Sequence, residues 1–462
     1  MRKLVLTFVC SVVTMAIFGA PKPETPISKK LRNLWSDPVL QEKIKIGIEH
    51  NRKGDFYLNF VDWKNKPVKV ENLKIEMVSH EFLFGAQIFL LNGFKTEQEN
   101  RQYEKEFLNL FNFATVPFYW KNYEHKNGEY AFGKDCEHDY RRPSQDAVVE
   151  FCNANGLKMK GHTFSWYIND LFLPKWVDRD EKIIDKYLNR YMGKVAERYS
   201  QDITIWDVSN ESSDTRRWLD NTFPFDHTFK AFKEAERVLP YSNELIINHT
   251  TPVWFRVSKY EEHAQDYLST QGLIVRGAKV DVIGLQLHLF KKEDRNELYN
   301  GNKWTPDEQY TVLDTFAHLN RPIHITELSF PCMTEGEVGE EKQAFILENF
   351  YKLWFSHPKV EAITYWHFVD GTAGVEDVYN SGFLRRDFSK KKAYYVLENL
   401  IRKEWRTDLS FEGESTRRHF RCFYGKYKVS FTYNGKKIEK IIPLTKTVLK
   451  NVKINVEKEL SQ

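Results

Sequence analysis

Between residues 81 and 403, apolar runs of strand length alternate strictly with amphipathic stretches of helix length, and few folds accept that order. The strand runs fall at 81–90, 111–119, 156–165, 203–209, 243–249, 280–289, 322–328 and 360–368. Helical stretches at 96–110, 144–155, 178–200, 227–238, 258–270, 305–319, 339–357 and 390–403 follow them in turn. In 178–200, Ile183, Ile184, Tyr187, Leu188, Tyr191, Val195 and Tyr199 recur at helical spacing, with charges on the other face. Strand and helix in strict repetition predict a closed (β/α)8 TIM barrel over 81–403. A doubly wound sheet is the competing solution. It normally holds its ligand at a glycine-rich first turn, and no GxGxxG occurs here.

The flanks read differently. Arg2 and Lys3 precede an apolar run over 4–18, and Gly19 and Ala20 follow, so 1–20 reads as an export signal. That run is too short for a membrane span, and no other stretch is long enough. Residues 21–35 are polar and rich in Pro and Lys, which predicts a flexible leader; 38–50 predicts a short helix. Alternating runs at 55–63 and 68–78 flank a Lys-Asn-Lys-Pro turn. After 404 the helical pattern stops, and 420–423, 427–433, 437–443 and 448–456 read as strands, with Asn434-Gly435 as a hairpin turn. Neither set of strands buries a good core alone. Together, 21–80 and 404–462 predict a small accessory β-sandwich-like module.

Composition narrows the chemistry. Aromatic residues make up 15% of the chain, a supply that suits sugar binding as well as a large core. The net charge of +4 is spread rather than blocked, so no nucleic-acid partner is indicated, although a basic protein could favour an acidic glycan. Past the signal stand Cys136, Cys152, Cys332 and Cys422, read as separate thiols. No CxxC or HExxH spacing exists, and the residues beside the histidines are Asn, Gln and Trp, so no metal and no cofactor is expected. The chain reads as a secreted, periplasmic or cell-surface monomer.

In a barrel of this kind the active site lies where strands end. Polar residues break the apolar runs at those ends: His162 and Trp166, Asn210 and Glu211, Asn248 and His249, Gln286 and His288, Glu327, and Trp366. A carboxyl group at the end of a buried strand is costly without a task. Two of them, Glu211 and Glu327, predict the acid and the nucleophile of glycosidic bond cleavage. Glu211 would protonate the leaving oxygen and then activate water, while Glu327 would form a glycosyl-enzyme. Retention of configuration then requires carboxyl groups ~5–5.5 Å apart.

At these positions the chain resembles glycoside hydrolase family 10, best known for endo-β-1,4-xylanases. Trp206-Asp207-Val208-Ser209-Asn210-Glu211 is similar to the family's acid/base motif, and Ile325-Thr326-Glu327-Leu328 to its nucleophile motif. Gly161-His162-Thr163-Phe164-Ser165-Trp166 and Gly284-Leu285-Gln286-Leu287-His288 match two further motifs. The resemblance covers 80–403. It implies that Lys121, His162, Trp166, Asn210, Gln286, His288 and Trp366 bind the sugar, with His288 orienting Glu327 and Trp366 lying under the reacting ring. Tyr119, Trp120 and Tyr167 would line the cleft. Three departures stand out. Pro117-Phe118 replaces the family's Glu-Asn pair on the glycone side, Tyr167 stands for a histidine, and no second tryptophan follows Trp366. The expected function is therefore retaining hydrolysis of a xylan-like polysaccharide or oligosaccharide with a rebuilt glycone site. The alternatives are another β-glycan, exo action, or a glycan-binding protein without turnover.

Overall fold

The computed structural model describes residues 27–213, 222, 224–332, 337–374 and 380–460; the export signal expected at 1–20 lies outside them. Eight parallel strands close a barrel: β3 (Leu83–Gln87), β4 (Phe113–Pro117), β5 (Lys158–Trp166), β6 (Ile205–Asn210), β7 (Glu244–His249), β8 (Val282–His288), β9 (Ile323–Ser329) and β10 (Val360–Tyr365). They are neighbours in sequence order, and β10 pairs with β3 to complete the ring. Each lies inside, or within one or two residues of, an expected run.

The pleat separates two populations of side chains. An apolar cluster of Leu83, Phe113, Ile205, Ile246, Val282 and Ala362 comes from the first half of six strands. Alternate residues pack outward into the helix layer. In the helix Glu181–Tyr199, the buried residues are Ile184, Leu188, Tyr191, Met192, Val195, Ala196 and Tyr199, close to the stripe in the sequence. Thr96 caps the helix Glu97–Leu110 through a box with Glu99.

Some expectations need correction. The leader is not flexible through residue 35. Ser28 caps a helix at Lys29–Trp35, and Leu31 and Trp35 are buried. Two large apolar side chains among lysines gave too short a pattern to show periodicity. The single helix expected at 258–270 is two, Pro252–Tyr260 and Gln265–Val275, because Glu261 takes a positive φ of 48° and Ala264 is extended.

The remaining strands form two sheets. β1 (Lys53–Val61) runs antiparallel to β12 (Arg417–Phe423) and parallel to β15 (Asn451–Asn455). β2 (Glu71–His80) lies between β11 (Asp408–Phe411) and β13 (Gly425–Tyr433), and β13 pairs with β14 (Lys436–Leu444). β11 was not expected; its run Asp-Leu-Ser-Phe carries only two apolar residues, and pairing with β2 rather than a local pattern makes it a strand. Each sheet thus mixes strands from both ends of the chain. Phe60 and Phe431 meet between them, ring centres 5.0 Å apart. Below the barrel, buried Arg52 donates to the carbonyls of His357 at 2.6 Å and Val360 at 2.7 Å. The four described cysteines are free thiols, two of them buried. Among the described residues no helix is long and apolar enough to cross a membrane.

Candidate active site

The ladder between β8 and β9 shifts register between Leu285 and Gln286. That shift sets Gln286 opposite Glu327. The carboxylate, 4% exposed, then meets donors on three sides. Asn248 Nδ2 donates to Oε1 at 2.8 Å and Gln286 Nε2 at 3.1 Å, while His288 Nε2 lies 3.0 Å from Oε2. His162 Nδ1 is 3.7 Å from Oε1. Burial pushes this carboxyl up, but the charges and bonds of His162 and His288, with Lys160 behind them, more than offset it. Glu327 is thereby held below its ordinary value of 4.5, ionised as a nucleophile must be.

A second ionic layer sits beneath. Lys160 Nζ and His162 Nδ1 each approach Asp207 Oδ2 at 2.8 Å, all three side chains buried. Burial raises the Asp207 carboxyl, and Lys160 and His162 overcome this and hold it below 3.8. Asp207 is thus a buried ion-pair partner that orients His162. The donor atoms of His162, Asp207 and Glu327 lie within 4.8 Å of one another, near enough to share a cation. Lys160 already brings a positive charge to that group.

Glu211 ends β6 differently. Its φ of +59° is left-handed, unusual for a residue with a Cβ, and turns the chain sharply out of the strand. Its backbone N–H donates to the Asn248 carbonyl at 2.8 Å, and Trp166 Nε1 donates to its Oε2 at 3.0 Å. Glu211 borders a cavity of about 380 Å³ with Gln286, His288, Phe255, Phe290 and Trp304. Half-buried and beside open space, it is placed to reach a departing group.

Asn210 links the two carboxyl groups. Its Oδ1 accepts from Asn248 Nδ2 at 2.8 Å and Gln286 Nε2 at 3.2 Å, which leaves its own amide hydrogens to donate. Trp366 is packed edge-on by Phe89, His162 and His288, with ring centres 5.4, 5.3 and 5.9 Å away. Tyr119 completes this wall against His162 and Trp166. His162, Trp166, Asn210, Gln286, His288, Trp366 and both glutamates therefore stand in one connected group.

Other expected residues lie elsewhere. Lys121 donates to the Asp170 carbonyl at 2.8 Å, on the rim rather than at the carboxylates. Trp120 is fully buried, stacked on Tyr191 and donating to Glu124 at 2.7 Å, so it lines the core and not the cleft. Tyr167 is buried against His227. His249 points outward, where its Nε2 lies 2.9 Å from the Thr270 hydroxyl. Phe118 packs against Tyr199 and Trp206, so Tyr119 is the residue that takes the cleft-facing place of the missing polar pair. Asn248 was noted as a strand end without a role, yet it holds both Asn210 and Glu327. Its position opposite Gly284 is set by strand register, which no local sequence pattern marks.

Known proteins resemble this chain in sequence and in fold. The model of glycosyl hydrolase family 10 matches residues 77–400. The anti-sigma-I factor RsgI6 of Acetivibrio thermocellus is 26% identical over 427 residues, 89% of this chain and 48% of that protein. The chain thus spans about half the length of that relative. Endo-1,4-beta-xylanase B of Paenibacillus barcinonensis is 25% identical over 264 residues, covering 51% of this chain and 72% of that one. Native xylanase 10B from Thermotoga maritima shares the fold, with a TM-score of 0.54 at 21% identity over 70% of this chain and 96% of that chain.

Proposed function

This chain belongs to glycosyl hydrolase family 10, and from that premise we propose that it is a retaining glycosidase acting on a β-linked, xylan-like polysaccharide. One observation carries the reading. A buried carboxylate, Glu327, is kept ionised by converging donors, while a second, Glu211, borders open space next to it. In the first step Glu327 attacks the anomeric carbon and Glu211 protonates the departing oxygen. In the second, Glu211 accepts a proton from water, and that water releases the sugar with its configuration retained. Asn210 donates to the sugar 2-hydroxyl, and Trp366 lies under the reacting ring. Export supports the same reading, since a polysaccharide is met outside the cell; Arg2, Lys3 and the apolar run after them motivate it.

The test is sugar release from xylan and from aryl β-xylosides, with the product anomer followed by proton NMR. Glu327→Ala should lower kcat by about 10⁴-fold or more, in line with loss of a nucleophile. Glu211→Ala should spare the first step on substrates whose leaving group needs no proton. Inversion, or unchanged activity in Glu327→Ala, would defeat the proposal. Activity surviving a chelator separates it from metal-assisted hydrolysis.

A second reading is favoured by the relative that spans most of this chain, named an anti-sigma-I factor. On this reading the barrel binds glycan as a signal and does not cleave it. Glycan binding without release of any product in the wild type would select it.

A further inference from the structure

In the segment after β4, Arg142 flanks the aromatic wall and Lys121 lies within reach of its charge, and among the described residues neither pairs with a carboxylate. The Arg142 guanidinium carbon lies 3.9 Å from the centre of the Tyr119 ring and 5.3 Å from that of Phe89. Both rings pack with Trp366. One Arg142 nitrogen donates to the Arg141 carbonyl at 2.7 Å, and its Nε is buried with no partner. Asp139, on the same loop, is engaged instead by Asn122 at 2.7 Å. Lys121 spends its bond on a carbonyl, that of Asp170. Among the described residues, neither cation has a carboxylate oxygen within 4.0 Å. Burial and the nearby Arg142 charge push the Lys121 ammonium down, despite Asp139 and Asp170. The two positive charges therefore act on one another, and among the described residues neither is closed into an ion pair.

The loop is fixed in place. The Tyr140 hydroxyl donates to the Thr372 carbonyl at 3.1 Å, and Arg141 donates to that of Ala373 at 3.1 Å. These bonds tie it to the segment after β10, where the expected second tryptophan is missing. Like charges held together beside a sugar wall, with a buried donor left over, are costly unless an anion completes them.

We propose that this corner is a subsite for an anionic sugar, bearing a carboxylate or a sulfate group, with Arg142 as its principal contact and Lys121 beside it. The proposal rests on the glycan-directed reading above and names its substrate class. It fits the exchange of a polar Glu-Asn pair, one member of which is acidic, for residues that carry no negative charge.

The test compares matched oligosaccharides: a neutral β-1,4-linked xylo-oligosaccharide, the same chain carrying a uronic acid at its glycone end, its carboxyl-reduced form, and a sulfated form. The wild type should favour the uronate over its carboxyl-reduced form by about tenfold or more in kcat/KM, as expected for a charge-assisted contact. In Arg142→Gln that ratio should fall towards one, and Arg142→Lys should keep part of it. Melting temperatures show that the variants are folded, and a larger gain on sulfate than on uronate identifies the anion. Cleavage of the neutral chain with no anionic preference overturns the subsite while the hydrolase stands. If nothing is cleaved, the hydrolase reading fails, and calorimetric titration with the same sugars decides the subsite. Tighter binding of the anionic form, lost in Arg142→Gln, supports it; equal affinity or no binding overturns it.

Discussion

Glu327 shows what one residue owes to its neighbours. Its motif names it, but its charge state comes from His162, His288 and Lys160, which reach it from other strands. Because the folded carboxyl lies below its ordinary value, it stays ionised further into acid. The acid limb of kcat/KM assigned to this group should therefore fall below pH 4.5. In His288→Gln one stabilising partner is lost, and that limb should move upward; a profile unchanged by this substitution would contradict the assignment. Stability follows the same sign. A depressed carboxyl contributes stability above its unfolded value, and the contribution is lost as pH falls through the folded value. Asp207 adds to this in the same direction. Both glutamates, Asn210, His162, Gln286 and His288 were readable in the sequence because strand ends broke into polar residues. The role of Asn248 was not readable, since a lone asparagine ending a strand has no spacing to mark it. Arg142 was not readable either, because its position depends on how a long loop folds back.

At the scale of the elements, glycines decide how closely strands and side chains approach. A Cβ on Gly284 would stand 2.8 Å from Asn248 Oδ1 and 2.8 Å from Thr326 Cγ2. Gly284→Ala would therefore push Asn248 off Glu327 and Asn210. The expected outcome is a fall in kcat of about tenfold or more with KM changed less, in line with the loss of one preorganised donor. Equal kcat would mean that Asn248 is not a positioning residue. Gly161 serves packing in the same way, since its Cβ would fall 2.2 Å from the Trp206 ring. Trp206 lies outside the barrel and stacks on Phe164 with ring centres 4.5 Å apart. One motif thus contains a core residue and a site residue side by side, and only alternation along β6 separates them.

At the scale of the whole molecule, strands before the barrel pair with strands that follow it. β1 lies between β12 and β15, and β2 between β11 and β13, so each N-terminal strand depends on C-terminal ones. Phe56, Leu58, Phe60, Leu73 and Ile75, all buried, would lose their cover without them. A chain ending at residue 404 should unfold at a lower temperature and be cut by protease within 53–80; a truncated chain with the wild-type melting temperature would refute that dependence. The sequence by itself determined the class of fold and singled out the two carboxyl groups at the strand ends. Hydrophobic periodicity repeats locally, and a carboxyl group in an apolar run is conspicuous wherever the chain goes. Tertiary structure alone decided which neighbours ionise Glu327, that Tyr119 and not Trp120 faces the cleft, and that Arg142 reaches the aromatic wall of Tyr119 and Phe89. Those outcomes depend on register between strands and on contacts between distant segments, and neither leaves a periodic trace in the chain.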